Sequence, residues 1–378
     1  MMAHARSMLA LLCLSAACGG DPPAATCVPG AVHSCPCLGG NDGVQSCLND
    51  GTFAVCECSE LDGGSDADGP VRDADGGPDA PALCIGGSSQ FFAISMLGFA
   101  REEPPMSGIA NGFNIDNIVS PPDDVRGCSK PDYTSAPPDN ERGVDNQLGA
   151  LVGSLEAMLG FDSEMAIRDA LAKGTFLLLL SMESIDDLTL TNDGCVTLNL
   201  LAGAQQNTPC TAGAAECLSG WRCGPMNICV PTVSGDGSLA AGQTFDVDRS
   251  SFVEGTTTPR VSIPGAIVGG RFRSFATGQF SLEIPFMEGR LVINLLNPEI
   301  RMSLGGGFVS AGVIGGGANN MQLAMAMDDA INMPEPDIGA MLRDQADLEP
   351  DGSGSCRAIS LGLEFVGVAA TRGADVRP

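Results

Sequence analysis

Histidine, lysine and large aromatic side chains are scarce in this chain of 378 residues, and each shortage removes a class of chemistry. The two histidines are His4 and His33, both near the N-terminus. A hydrolase triad needs an imidazole base and a catalytic zinc usually needs two or three imidazoles, so neither is available to the rest of the chain. The two lysines, Lys130 and Lys173, lie in no phosphate-loop or Schiff-base motif. One tryptophan, Trp221, and one tyrosine, Tyr133, leave little from which to build the aromatic platforms of a sugar site. No segment after the N-terminus reaches the roughly 18 uninterrupted apolar residues that a membrane-spanning helix requires. Basic residues are few as well: the formal charge of -27 repels phosphate backbones and excludes nucleic acid as a natural partner.

What is present begins with a small basic head, Met1 to Arg6, and a short apolar run that ends in small residues before Cys18. That is the layout of a secretory signal. The stretch Leu14-Ser15-Ala16-Ala17-Cys18 resembles a bacterial lipobox, which implies removal of residues 1–17 and acylation of Cys18. Residues 18–26 would then be the lipid-anchored N-terminus. Gly19 and Gly20 follow the cysteine, with no aspartate next to it, so the outer membrane or cell surface is the expected location. The competing reading is ordinary cleavage with release of the chain.

Sixteen cysteines are many for this length. Setting aside Cys13 in the signal and Cys18 at the anchor leaves fourteen, an even number that fits disulfides in an oxidising compartment. Six of them, Cys27, Cys35, Cys37, Cys47, Cys56 and Cys58, fall within residues 27–58, a segment too short to bury a useful core without cross-links. Their uneven spacing lacks the paired knuckles of a zinc cluster. With Val44-Gln45-Ser46-Cys47 and the turn Asn49-Asp50-Gly51-Thr52-Phe53, the segment is similar to a six-cysteine module of myxobacterial-type outer-membrane lipoproteins. That resemblance implies a location and no activity. Residues 59–83 are mostly Asp, Gly, Pro, Ala and Ser, and read as an acidic, extended linker.

The main domain is expected over residues 84–378. Phe280, Leu282, Ile284 and Phe286 alternate, as do Ile359, Leu361, Leu363 and Phe365, which predicts half-buried strands. Asn192-Asp193-Gly194 predicts a hairpin turn between Leu188–Thr191 and Cys195–Leu200. Leu148, Leu151, Val152, Leu155, Met158 and Leu159 recur at helical spacing from a start near Asp145. A second helix should run from Asp162 or Ser163 to a stop at Lys173-Gly174, and a last one from Asp337 to Leu348. Two glycine clusters, 264–270 and 311–317, lack a following lysine and predict close backbone packing instead of a phosphate cradle. Met321, Leu323, Met325 and Met327 read as core. The fold class that follows is mainly β with a few helices, α+β, with a β-sandwich as the expected arrangement of the main domain beside small disulfide-stabilised modules.

Cys210, Cys217, Cys223 and Cys229, in an insertion at 207–231, resemble a four-cysteine loop of the same kind of lipoprotein, centred on Gly220-Trp221-Arg222-Cys223-Gly224. Four cysteines allow three connectivities, and first-to-third with second-to-fourth is the expectation. Cys84, Cys128, Cys195 and Cys356 remain for two more bridges, with Cys84 and Cys356 expected to tie the ends of the domain together.

Between Asn114 and Asn146 oxygen donors are dense, and Asp139-Asn140-Glu141-Arg142-Gly143-Val144-Asp145 combines several of them with a glycine for a bend. One reading is a calcium site held by Asp116, Asp139, Glu141 and Asp145, since calcium takes six to eight oxygens. The other is a polar loop ending in Asp145 at a helix N-terminus. Motifs such as Gly112-Phe113-Asn114-Ile115-Asp116-Asn117 resemble those of the same lipoproteins, which supports location more than function. The functional expectation is a lipid-anchored surface protein with a non-catalytic binding or structural role, stabilised by calcium if by any cofactor, with a protein or glycan partner unspecified. A carboxylate-dependent, glycosidase-like hydrolase is the alternative.

Overall fold

The structure is a computed structural model that describes residues 32–36, 42–46, 84 and 86–376, apart from 123, 138, 212–215, 276–278, 287–288, 332–336 and 353–354. The chain divides into two units between Gly77 and Pro78, and each is taken by itself. In the first, β1 (Val32–Pro36) pairs antiparallel with β2 (Asp42–Ser46). The side-chain pairing of the six-cysteine segment, the anchor Cys18 and the linker lie outside the described residues.

The second unit opens with β3 (Ser88–Phe99), followed by a long irregular segment that holds the short strands β4 (Tyr133–Thr134) and β5 (Arg142–Val144). Helices α1 (Gln147–Leu159) and α2 (Ser163–Lys173) lead into β6 (Leu178–Ile185) and β7 (Asn192–Ala202). The cysteine insertion contributes β8 (Trp221–Cys223) and β9 (Cys229–Pro231). Then come β10 (Thr244–Asp248), β11 (Ser262–Val268), β12 (Arg271–Ser274), β13 (Gln279–Phe286), β14 (Gly289–Gly305) and β15 (Phe308–Asn319). Helices α3 (Asn320–Ile331) and α4 (Ile338–Gln345) precede β16 (Leu348–Pro350), β17 (Cys356–Ala369) and β18 (Thr371–Val376).

Eight of these strands close an antiparallel barrel in the order β12, β11, β7, β6, β3, β17, β15, β14 and back to β12. This corrects the expected sandwich. The reason lies in β14, whose 17 residues serve two partners on one side. Its first half pairs with β13 from Gly289 to Leu296, and its second half pairs with β12 through Arg301, Met302 and Ser303. A sheet whose ends meet in this way has no free edge at that seam, and alternation along single strands cannot reveal that the ends meet.

The barrel interior is apolar because the strands alternate. One row across the sheet runs Ile267, Phe272 and Met302, and another runs Ile300, Ile314, Leu363 and Phe99, all fully buried. The residues between them, Arg271, Arg273, Glu299, Arg301 and Glu364, fall on the opposite, outer face. Gly265 and the second glycine cluster lie in strands, where the missing side chain makes room for a ring, whereas Gly269 and Gly270 form the turn between β11 and β12. A Cβ at Gly265 would stand 2.6 Å from the Phe272 ring, one at Gly312 2.5 Å from the Phe365 ring, and one at Gly315 2.5 Å from that of Phe113.

Helix α1 buries Leu148, Leu151, Val152 and Leu155, as their spacing predicts, and leaves Met158 exposed. Helix α2 has the predicted bounds. The Asp162 carboxylate accepts the Met165 N–H at 2.9 Å, and Gly174 terminates the helix at φ 68°, a left-handed conformation that glycine adopts without cost. Asp337 caps α4 in the same manner. On α3, Leu323 and Met327 are core, whereas Met321 and Met325 face solvent, so the methionine series is only half buried.

The hairpin between β6 and β7 turns earlier than Asn192-Asp193-Gly194, which already belong to β7. Its turn is organised by Asp187, whose carboxylate accepts the N–H groups of Thr189, Thr191 and Asn192. A short acidic side chain that satisfies three amides locally outcompetes the Asn-Asp-Gly turn.

Four disulfides are formed among the described residues. The insertion has the expected pairing, Cys210–Cys223 and Cys217–Cys229. The other four cysteines pair as Cys84–Cys195 and Cys128–Cys356, so the expected bridge between the two ends of the domain is corrected. Cys84 instead fixes the chain entry to β7, and Cys356 at the start of β17 holds the irregular segment.

Candidate functional site

The segment between β3 and α1, residues 100–146, has little regular structure and lies on the outer face of the barrel. Phe113 is its apolar anchor, fully buried over Gly315. Two groups of charged residues hold the remainder.

The first is a network of three arginines from the barrel and three carboxylates. Asp139 pairs with Arg271 and with Arg301 Nε, the latter at 3.2 Å. Glu141 accepts from Arg301 Nη1 at 2.7 Å and Arg273 Nη2 at 3.1 Å, and Arg273 also reaches Glu299 at 3.2 Å. The guanidinium carbons of Arg301 and Arg273 stand 4.8 and 5.6 Å from the centre of the Phe113 ring, within cation–π range. Burial lowers the pKa of Arg301, against the pull of Asp139 and Glu141, which favours the charged form.

The second group contains four aspartates. Asp145 is buried, and its Oδ2 accepts the N–H groups of Ile115 at 2.7 Å and Asp116 at 3.3 Å. Asp132 accepts the Ser120 N–H, and Asp116 Oδ1 accepts that of Ile118 at 2.8 Å. Asp347, also buried, accepts both the N–H and the hydroxyl of Ser360 on β17. Asp116 and Asp132 lie in the electrostatic field of Asp145. Like charges gathered where burial is deep favour keeping a proton. Burial, then the neighbouring charges of Asp347, Asp116 and Asp132, push Asp145 up to about 9. Burial raises Asp347 to about 7 against the hydrogen bonds from Ser360, and it raises Asp132 to about 6. Asp116 is raised as well, again by burial first.

The expected calcium ligands are therefore not brought together. Asp139 and Glu141 face arginines, whereas Asp116 and Asp145 belong to the aspartate cluster. Charge already matched by three guanidiniums offers a divalent cation little net attraction. Arg142, next to Glu141 in sequence, is exposed; the neutralising charges come from residues more than a hundred positions away. Nor is Asp145 the helix cap, because Asn146 occupies that position and makes no side-chain cap bond. Among the described residues, the one group of three potential ligand atoms within 4.8 Å of one another is Cys210, Cys217 and Cys229. All three are in disulfides and offer no thiolate.

Sequence reasoning singled out neither Asp347 nor the three arginines. Asp347 lies in the C-terminal third of the chain, and nothing local marks it as a neighbour of Asp145. The arginines did leave a signal in Arg271-Phe272-Arg273 and Ile300-Arg301-Met302, where charge alternates with apolar residues along a strand.

A cleft of about 300 Å³ opens on the same outer face. Met96, Gly98, Glu364 and Val366 from β3 and β17 line its floor, Pro137 and Asp139 one side, and Glu164 and Arg168 of α2 the other. None of the four clustered aspartates lines it.

No family model matches the chain, and no curated protein and no solved structure matches it. Among the described residues, no helix is long and apolar enough to cross a membrane.

Proposed function

We propose that the protein is a lipid-anchored surface protein of the outer membrane, with a non-catalytic binding or structural role. The anchor at Cys18 rests on the sequence pattern. The non-catalytic reading is carried by one observation: the buried carboxyls of the irregular segment are committed to backbone amides or to arginines. A glycosidase needs two carboxyl groups roughly 5 to 9 Å apart across a substrate cleft. None of the four clustered aspartates lines the cleft, and of the carboxylates that do, Asp139 is paired with Arg271 and Arg301. Trp221, the one indole, is buried and donates its Nε1–H to the Thr244 carbonyl at 2.8 Å, so it offers no platform to a sugar.

Calcium enters this reading as a question for measurement. An ion at Asp116 and Asp145 would have to displace the proton that burial favours on Asp145, so the melting temperature is expected to be equal in chelator and in millimolar calcium. A rise in calcium that is lost in Asp145→Asn would make the ion part of the fold.

The reading as a whole is tested by labelling cells with a palmitate analogue and by screening the purified chain against glycans and esters. Label on the wild type that is lost in Cys18→Ser, together with no turnover, is expected. Turnover of any of these substrates that one carboxylate substitution abolishes would replace the binding role with a hydrolase.

A further inference from the structure

The cleft between α2 and residues 136–139 has a composition that fits one class of ligand. Its floor is apolar and open to solvent: Met96 is 40% exposed and Val366 36% exposed. Gly98 lies in that floor directly across from Glu364 in the strand pairing. Because Gly98 has no side chain, Glu164 of α2 leans over it, its Cγ 3.3 Å from the position a Cβ would take. Two carboxylates thus flank one gap in the floor.

The charges around this gap are unequally answered. Asp139 is already paired with Arg271 and Arg301. Arg168 extends over Gly237, whose Cβ position is 2.7 Å from its Cδ, and shares the field of Asp236 outside the cleft. Among the described residues, Glu364, by contrast, meets only the neutral amide of Asn111, at 2.7 Å, and Glu164 reaches Arg101 no nearer than 3.6 Å. The carboxylates that remain available to a ligand are Glu164 and Glu364, next to an apolar floor.

The floor is also where the barrel departs from regular pairing. The β3–β17 register shifts at Val366–Gly367, and the β14–β15 and β15–β17 registers shift near Ala311, which has a positive φ of 46° and also lines the cleft. Such irregularities bend strands and turn side chains towards a site.

We infer that this cleft binds an organic cation, a protonated amine carried on an apolar body, with the amine between Glu164 and Glu364 and the body on Met96 and Val366. The cleft is at the small end of the size range of ligand pockets, which suits a compact molecule. The formal charge of -27 adds a long-range field that draws cations to the surface. This inference deepens the binding reading above and rests on it.

The test uses the full oxidised chain and three probes of equal length, hexylammonium, hexanoate and hexanol, in calorimetric titrations. Hexylammonium is expected to bind with a dissociation constant of about 1 mM or tighter, and at least roughly tenfold more tightly than either of the others. Glu364→Gln should weaken that binding roughly tenfold, and Val366→Lys, which places a cation in the floor, should abolish it. Both positions are exposed, so the variants should melt like the wild type; a variant that does not is replaced by Glu164→Gln. Equal binding of all three probes, no binding of hexylammonium at about 10 mM, or unchanged affinity in the folded variants would overturn the assignment. That failure would leave acylation at Cys18 and the absence of turnover to their own assays.

Discussion

The arginine network and the aspartate cluster hold one irregular segment to one barrel face by opposite electrostatic means. In the network, Asp139, Glu141 and Glu299 meet Arg271, Arg273 and Arg301, so every carboxylate has a guanidinium partner. In the cluster, Asp116, Asp132, Asp145 and Asp347 make no salt bridge among the described residues, Arg126 acts on Asp116 only through its field, and burial favours a retained proton. The contrast follows from what each half of the segment lies against. Residues 139–141 lie on β12 and β14, whose outer positions are arginines. Residues 115–132 lie near β16 and the start of β17, which offer a serine, backbone amides and a disulfide. Acidic residues of similar local sequence thus acquire different chemistry from their distant neighbours.

Breaking the covalent tie should have the largest effect. Replacing Cys128 and Cys356 together by serine opens a link that spans 228 positions. Loss of about 4 kcal/mol is expected from denaturant melts, since long closed loops restrict the unfolded chain most. Hydrogen exchange should accelerate in residues 115–132 more than in 139–141, and equal acceleration would mean that the two halves are not independently held.

Arg301→Met comes next. It leaves Asp139 and Glu141 facing apolar surroundings without their shared, buried partner, and about 3 kcal/mol of destabilisation is expected. A near-neutral result would show that Arg271 and Arg273 suffice.

The cluster should respond to pH in the direction opposite to an ordinary ion pair. An aspartate whose folded pKa is raised binds its proton more tightly in the native state. Its contribution is therefore complete below the unfolded value near 4 and is lost as pH rises through the folded values of about 6, 7 and 9. The melting temperature should fall by several degrees between pH 5 and pH 8, and Asp145→Asn should flatten that fall. A wild-type melting temperature that rises across this interval would refute the retained proton.

The smallest effect should come from Arg273→Gln. Its side chain is more than half exposed, and solvent screens its pairs with Glu141 and Glu299, so about 0.5 kcal/mol or less is expected. Added salt should shrink it further.

Local signals in the sequence were sufficient for caps and for alternating strands, though not for the β6–β7 turn, where Asp187 displaced the Asn192-Asp193-Gly194 signal. Asp162 and Gly174 mark the ends of α2 because a cap needs only its own turn. The alternation of Phe280 to Phe286 and of Ile359 to Phe365 gives strands for the same reason. What could not be read was which strand meets which. Closure through Arg273 and Arg301, the pairing of Cys128 with Cys356, and the approach of Asp347 to Asp145 all depend on contacts between distant positions. The candidate site was legible as an acidic, loop-forming segment and illegible as two sites. The deciding charges belong to strands of the second half of the chain.

The order in which the barrel can close follows from its seams. The β12–β14 seam joins residues about thirty positions apart, such as Phe272 and Met302, and can form early. The seam between β3 and β17 joins Ala93 to Val368, almost the whole length of the unit. A chain ending before Cys356 would have two unpaired strand edges, one on β3 and one on β15, each able to recruit a neighbouring chain. β17, one of the last two strands to emerge during synthesis, therefore determines whether the barrel is sealed or left as an open, sticky sheet.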